Sequence, residues 1–238
     1  MEFRVNREQA MRNFPKVGWK HMLARGFLSL TQRPAPTRFA DYQTHAALQL
    51  PFDGEWHVYW GGRSVGKNRH AVAGDQRFAY DFLILRERRS FSGGGDENSE
   101  YYCFGRLVHA PAAGVVVDAV NDVSDNPPGV MNAVAPAGNC VVLDHGNSEF
   151  SVLAHLQYGS LKVHKGDTVQ AGDVVGICGN SGHSSEAHLH YHLQNSPALF
   201  RAEGLPAQFL DYFADGKPVS RGEPVAGQTI RSNRERHQ

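Results

Sequence analysis

From about residue 50 onward the chain is cut into short β-textured runs by Gly, Asn, Asp and Pro, and this punctuation limits its fold more than any other feature. The runs are Trp56–Trp60 (WHVYW), Phe78–Leu85 (FAYDFLIL), Gly114–Val120 (GVVVDAV), Cys140–Asp144 (CVVLD), Ser151–Leu156 (SVLAHL), Thr168-Val169, Val174–Cys178 (VVGIC) and His188–Gln194 (HLHYHLQ). Each is rich in β-branched or aromatic residues and is too short for a stable helix. Many short strands with frequent turns predict a mainly β domain, an antiparallel sandwich or barrel-like sheet. Hydrophobic residues make up 41% and charged residues 20% of the chain, enough apolar material for a core. Residues 1–48 have a different texture. Arg7 to Leu30 is loosely helical and basic, and Thr31–Thr37 (TQRPAPT) breaks it, so this part reads as a partly helical extension packed on the main domain. The domain is expected over 49–215, with Phe209 to Phe213 as a short helix and 216–238 as a tail.

Charge narrows the function classes. The 24 basic and 24 acidic side chains cancel, so a general attraction to nucleic acid or to an anionic membrane is not expected. Arg86, Arg88 and Arg89 form a local cluster that reads as a solvated loop. No apolar stretch approaches the ~18 residues of a membrane span, and charges interrupt every apolar run of the first 30 residues, so no signal-peptide core is visible. Cys103, Cys140 and Cys178 form no C-x-x-C pair and suggest no thiolate metal site. There is no Walker loop and no G-x-G-x-x-G, and Gly93 to Gly95 precede acidic residues, which is wrong for holding a phosphate.

The chain has 13 histidines, and their positions carry the chemistry. In Ala187–His192 (AHLHYH) strand alternation turns His188, His190 and His192 to one face. Two imidazoles so placed can serve one metal centre, one binding the ion and the other reaching water or substrate. His155 stands alone in an apolar strand, where a histidine is commonly just a tolerated polar residue.

Taken together, GDTVQAGDVVGICGNSG followed by HLHYH resembles the C-terminal signature of the lysostaphin/LytM-type (M23) zinc peptidases, and the likeness extends over roughly residues 50 to 200. The resemblance implies that His188 is catalytic and His190 a zinc ligand, and that His155, in a strand followed by Gly159-Ser160 and KVHKGD, is the second catalytic histidine. The turn in Leu107–Val117 (LVHAPAAGVVV) resembles the family's entry into a core strand, and NCVVLDHG its preceding hairpin, with His145 structural. The familiar H-x-x-x-D ligand pair is absent. Asp81 matches the family aspartate, but Arg77 stands four residues before it and cannot bind a cation. NRHAVAGDQRFAYDF resembles instead a branch with N-x-H and QR-x-A-x-D, which makes His70 the first ligand. Asp75 is the rival carboxylate and reads as a turn residue after Gly74, and neither His109 nor His183 is given a role.

The implied site is one Zn²⁺ on His70, Asp81 and His190 with an open fourth position, flanked by His155 and His188. The implied reaction is hydrolysis of peptide bonds in peptidoglycan or a Gly-rich peptide by a metal-activated water, outside the cytoplasm. Two alternatives remain at this point. One is a catalytically inactive scaffold of the same fold that regulates a cell-wall hydrolase. The other is a lipoyl- or biotinyl-type carrier, suggested by KGDTVQAGDVVG, although no Met-Lys pair is present.

Overall fold

A computed structural model describes residues 32–233, so the helical character expected before Leu30 lies outside the described residues. Strands β1 (Glu55–Trp60), β2 (Tyr80–Leu83), β4 (Gly114–Val120), β5 (Asn139–Asp144), β6 (Phe150–Leu156), β7 (Thr168–Val169), β9 (Leu189–Gln194), β11 (Phe209–Ala214), β12 (Lys217–Gly222) and β13 (Thr229–Ser232) form one antiparallel sheet in the order β12-β11-β13-β1-β2-β9-β6-β5-β4-β7. A short strand β10 (Gly204–Leu205) adds to β9, while β3 (Leu107–His109) and β8 (Val174–Ile177) make a separate antiparallel pair. The mainly β, antiparallel expectation holds.

Two sequence expectations are corrected. Residues 209–213 are a strand, not a helix, and the segment expected as a tail after 215 supplies β12 and β13. β13 pairs with β1 and β11, so the C-terminal segment is built into the sheet. Within the carrier-like stretch 165–176, β7 pairs with β4 and β8 with β3.

Alternation along the strands separates two faces. Tyr80, Phe82, Leu153, Leu189, Tyr191 and Leu193 point into the main core with Phe52, Trp56 and Phe209. Tyr80 stacks on Phe82 with centroids 5.4 Å apart, and Phe209 packs edge-on against Tyr80 at 5.7 Å. The opposite face of the central strands carries Asp81, Val152, Ala154, His190 and His192, and it is this face that forms the site.

Residues 32–50 run as an extended strap that supports the same strands. Leu48 and Leu50 are buried in the core. The fully buried Glu149 carboxylate accepts from Tyr42 Oη at 2.8 Å, from the His45 amide at 2.6 Å and from the Ala46 amide at 2.7 Å. Further along, the Ala35 amide donates to Ala71 O at 2.7 Å, and Arg77 Nε donates to Ala35 O at 3.1 Å. The strap therefore ties the turn that contains His70 to the sheet. Replacing Glu149 with Ala removes the acceptor of two backbone amides and a phenol, and is expected to cost about 2–4 kcal/mol of stability. Denaturant unfolding checks the magnitude, and faster hydrogen exchange at Ala46 checks the location.

Candidate metal centre

Cross-strand register builds the site. Asp81 on β2 pairs directly with His190 on β9, which pairs on its other side with Ala154 on β6. Directly opposed residues project to the same face, so a carboxylate, an imidazole and a methyl stand in one row. The small Ala154 leaves the imidazole room.

His155 follows Ala154 and by alternation would point to the other face. It does not, because β6 carries an extra residue against β5, with the register shifting between Asn139 and Val141. His155 adopts φ 62°, a left-handed conformation that side chains other than Gly rarely take. The bulge turns its ring toward the site, 4.8 Å from the His188 ring and 5.7 Å from the His190 ring between centroids. The Gly-Asn-Ser-Gly turn holds it there. A Cβ at Gly138 would collide with Ser181, and one at Gly182 with the Gly138 backbone, so the turn can press against the β5 entry only with glycine at both places. This sets Ser181 O 2.8 Å from His155 Nδ1.

His70 lies in a 3-10 turn, Arg69–Val72. Asn68 is fully buried and caps it, accepting from the His70 amide at 3.0 Å while its Nδ2 donates to Gly62 O and Ala79 O. The residue immediately before the turn is thus fastened to the chain that enters β2, and this brings His70 beside Asp81 across 11 residues of sequence.

The three groups converge. His70 Nε2 is 3.0 Å from Asp81 Oδ2, and His190 Nδ1 is 2.9 Å from Asp81 Oδ1. One donor atom from each lies within 4.8 Å of the others, a cluster suited to a single ion. Asp75 lines the adjoining cleft but is not part of the cluster, and Arg77 turns away to Ala35. His188, just before β9, donates from Nδ1 to Glu186 O at 2.9 Å. Its Nε2 is buried without a hydrogen-bond partner, 3.6 Å from Asp81 Oδ1. The structure thus brings together all five residues singled out from the sequence. It places His145 elsewhere, between Ala113 O and Ser151 Oγ, and His109 against Gly172 O.

Electrostatics favour a cation here. Burial opposes ionisation of Asp81, but the surrounding His70, His188 and His190 outweigh it and hold the carboxyl well below its usual range. Burial pushes the imidazoles of His155, His188 and His190 below their ordinary pKa, so they are neutral at pH 7. Among these neutral imidazoles the buried carboxylate has the half-exposed Arg69 guanidinium as a cationic neighbour, 3.5 Å from Oδ2, and its oxygens remain suited to a divalent ion. The donor set, two imidazole nitrogens and one carboxylate oxygen, together with the orphaned His188 Nε2, fits a zinc centre with an open position.

A cleft of about 330 Å³ opens beside the cluster, lined by Arg69, His183, Pro136, Leu199 and Phe200 as well as His155, His190 and His192. Sequence reasoning gave no role to Asn68, His192 or Gln194. The polar alternation from His188 through His190 and His192 to Gln194 was the available signal for the last two.

Residues 101–201 match the model of peptidase family M23. The match spans less than half of the chain, which over that stretch is similar to the family. A segment of 57 residues is 42% identical to the peptidoglycan DD-endopeptidase ShyA of Vibrio cholerae, covering 24% of this chain and 13% of that protein, so the match spans about an eighth of the relative's length. Among solved structures, the M23 metalloprotease pseudoalterin from the deep sea aligns over 78% of this chain and 98% of its own, with TM-score 0.46 and 16% identity. The catalytic domain of lysostaphin from Staphylococcus simulans aligns over 63% of this chain and 86% of its own, with TM-score 0.38 and 22% identity. The family match includes His155, His188 and His190, while His70 and Asp81 lie upstream of it.

The carbonyl that orients His188 belongs to Glu186, whose own side chain is buried and hydrogen-bonded to Ser90 Oγ at 3.1 Å. Burial, with Cys103 nearby, raises this carboxyl well above its usual pKa. The unfolded chain releases this proton near the usual value of about 4.3, whereas the folded chain retains it. The stability it contributes is therefore present at low pH and is lost as pH rises above about 4.3. Glu186→Gln is expected to be more stable than the parent at pH 7–8 by at least ~1 kcal/mol, or about 2–4 °C in Tm, with the difference shrinking toward pH 4. Melting curves across pH check this, and parallel Tm profiles for the two proteins would contradict it.

Proposed function

We propose that this protein is an M23-type, zinc-dependent endopeptidase that hydrolyses peptide bonds of bacterial peptidoglycan, in a cross-bridge or stem peptide, outside the cytoplasm. The observation that carries the reading is the paired presentation of His155 and His188 beside the His70, Asp81 and His190 cluster. Each has Nδ1 fixed on a backbone carbonyl, that of Ser181 or Glu186. A neutral imidazole that donates from Nδ1 is bare at Nε2, so both rings offer a proton acceptor toward the same small volume.

His70, Asp81 and His190 would hold the ion. Zinc in such a site lowers the pKa of a bound water to about 7 and polarises a scissile carbonyl. The protein's own groups then do the proton work. Nε2 of His155 or His188 takes the proton from the attacking water, and the protonated ring stabilises the developing oxyanion or passes a proton to the leaving amine. Burial keeps both rings neutral, and so able to accept a proton, at neutral pH. The cleft past Leu199 and Phe200 provides an apolar wall along which an extended peptide can lie.

Peptidoglycan as substrate is supported by the activity named for the Vibrio cholerae relative. An inactive regulatory scaffold is the weaker reading, because such a protein has no need for a strained His155 backbone aimed at a complete donor set. His190→Ala and Asp81→Ala are expected to lose zinc as well as activity. His155→Ala and His188→Ala are expected to keep about one zinc per chain while peptide release from purified peptidoglycan falls by about 10²–10⁴-fold. Elemental analysis with a chelator-controlled digestion checks both, and normal zinc content in His190→Ala would contradict the ligand set.

A further inference from the structure

Beyond the ligands, His190 heads a chain of hydrogen bonds that runs along its own strand. His190 Nε2 lies 3.0 Å from His192 Nδ1, His192 Nε2 lies 3.0 Å from Gln194 Oε1, and Gln194 Nε2 donates to Ser196 O at 2.7 Å. His190, His192 and Gln194 are all buried, Gln194 completely. The chain has a single direction, because it ends on a group that cannot donate. A peptide carbonyl only accepts, so the Gln194 amide must turn its NH₂ to Ser196 and its oxygen to His192. That oxygen also only accepts, so His192 carries its proton on Nε2 and is bare at Nδ1. His190 must then donate from Nε2, which leaves its Nδ1 bare, facing Asp81 Oδ1 at 2.9 Å.

We propose that His192 and Gln194 are positioning residues that fix His190 in the one tautomer able to bind a metal ion through Nδ1. A bare imidazole nitrogen and a carboxylate oxygen at this distance repel each other unless a cation lies between them, so the relay keeps the ligand atom available to a metal ion. A chain lacking it would let His190 flip its proton to Nδ1 and donate to Asp81, satisfying the carboxylate and blocking the ligand atom. The Ser196 carbonyl, two residues past the end of β9, thus sets which nitrogen of the ligand carries the proton. Outer partners of this kind typically change metal affinity by about 10–100-fold.

This rests on His190 being a ligand, and the test separates the two claims. Long-range ¹⁵N–¹H NMR on the metal-free full chain reads the tautomers directly, and competition with a chelator of known affinity reads Zn²⁺ binding. The expected result is Nε2-protonated His190 and His192 in the metal-free protein. Gln194→Met, which removes the acceptor, should weaken Zn²⁺ binding by about 10–100-fold. Gln194→Glu keeps an acceptor for His192 and should bind Zn²⁺ near the parent level even where its Tm is lower. Affinity that follows Tm across the two variants would mean a merely structural role and overturn the proposal, as would Nδ1-protonated His190. The expected tautomers in a parent protein that binds no Zn²⁺ would support the relay and overturn the metal reading instead.

Discussion

The direct pairing of Asp81 with His190 across β2 and β9 is the contact on which the rest of the site depends. It places a carboxylate deep in the protein, where its charge is costly unless neighbours compensate it. Every other feature of the site answers that cost. The Asn68-capped turn delivers His70 to the second carboxylate oxygen, the β6 bulge turns His155 inward, and His188 closes the remaining side. Because burial keeps His155, His188 and His190 neutral, none of the three neutralises the carboxylate. With the Arg69 guanidinium 3.5 Å from one carboxylate oxygen, the result is a buried polar cluster whose donor set suits a metal ion.

Backbone carbonyls set the proton positions throughout. Ser181 O fixes His155, Glu186 O fixes His188, and Ser196 O, acting through Gln194 and His192, fixes His190. A carbonyl cannot titrate or reverse its role, so each ring has one available nitrogen at any pH where it is neutral. The proposed division of labour follows from which nitrogen is tied: Nδ1 held leaves Nε2 for proton transfer, and Nε2 held leaves Nδ1 for a ligand bond.

Much of this was legible in the sequence because the signals were local. Short β-branched and aromatic runs between turn residues gave the antiparallel β fold, and strand alternation put His188 and His190 on one face. What was missed depended on contacts distant in the chain. Lys217–Gly222 is largely exposed, charged and contains Pro218, so it lacks the apolar alternation of a strand, yet as the edge strand it needs a partner on one side only. Phe209–Ala214 has a helix-like apolar spacing that tertiary pairing with β12 and β13 overrides. The left-handed turn at His155 follows from the bulge against β5, which no single strand encodes. Of the candidate ligands, His70 left the weakest sequence signal because its place beside Asp81 rests on the Asn68 cap and the Ala35 strap, not on a fixed spacing.

The most direct measurement is X-ray absorption at the zinc edge on the metal-loaded chain, since it counts the ligands without reference to activity. The expected first shell is two imidazole nitrogens with the remaining positions filled by oxygen, all at about 2.0–2.2 Å. Three or more imidazoles in that shell, or a sulfur shell at about 2.3 Å, would contradict a centre organised around the Asp81–His190 pair.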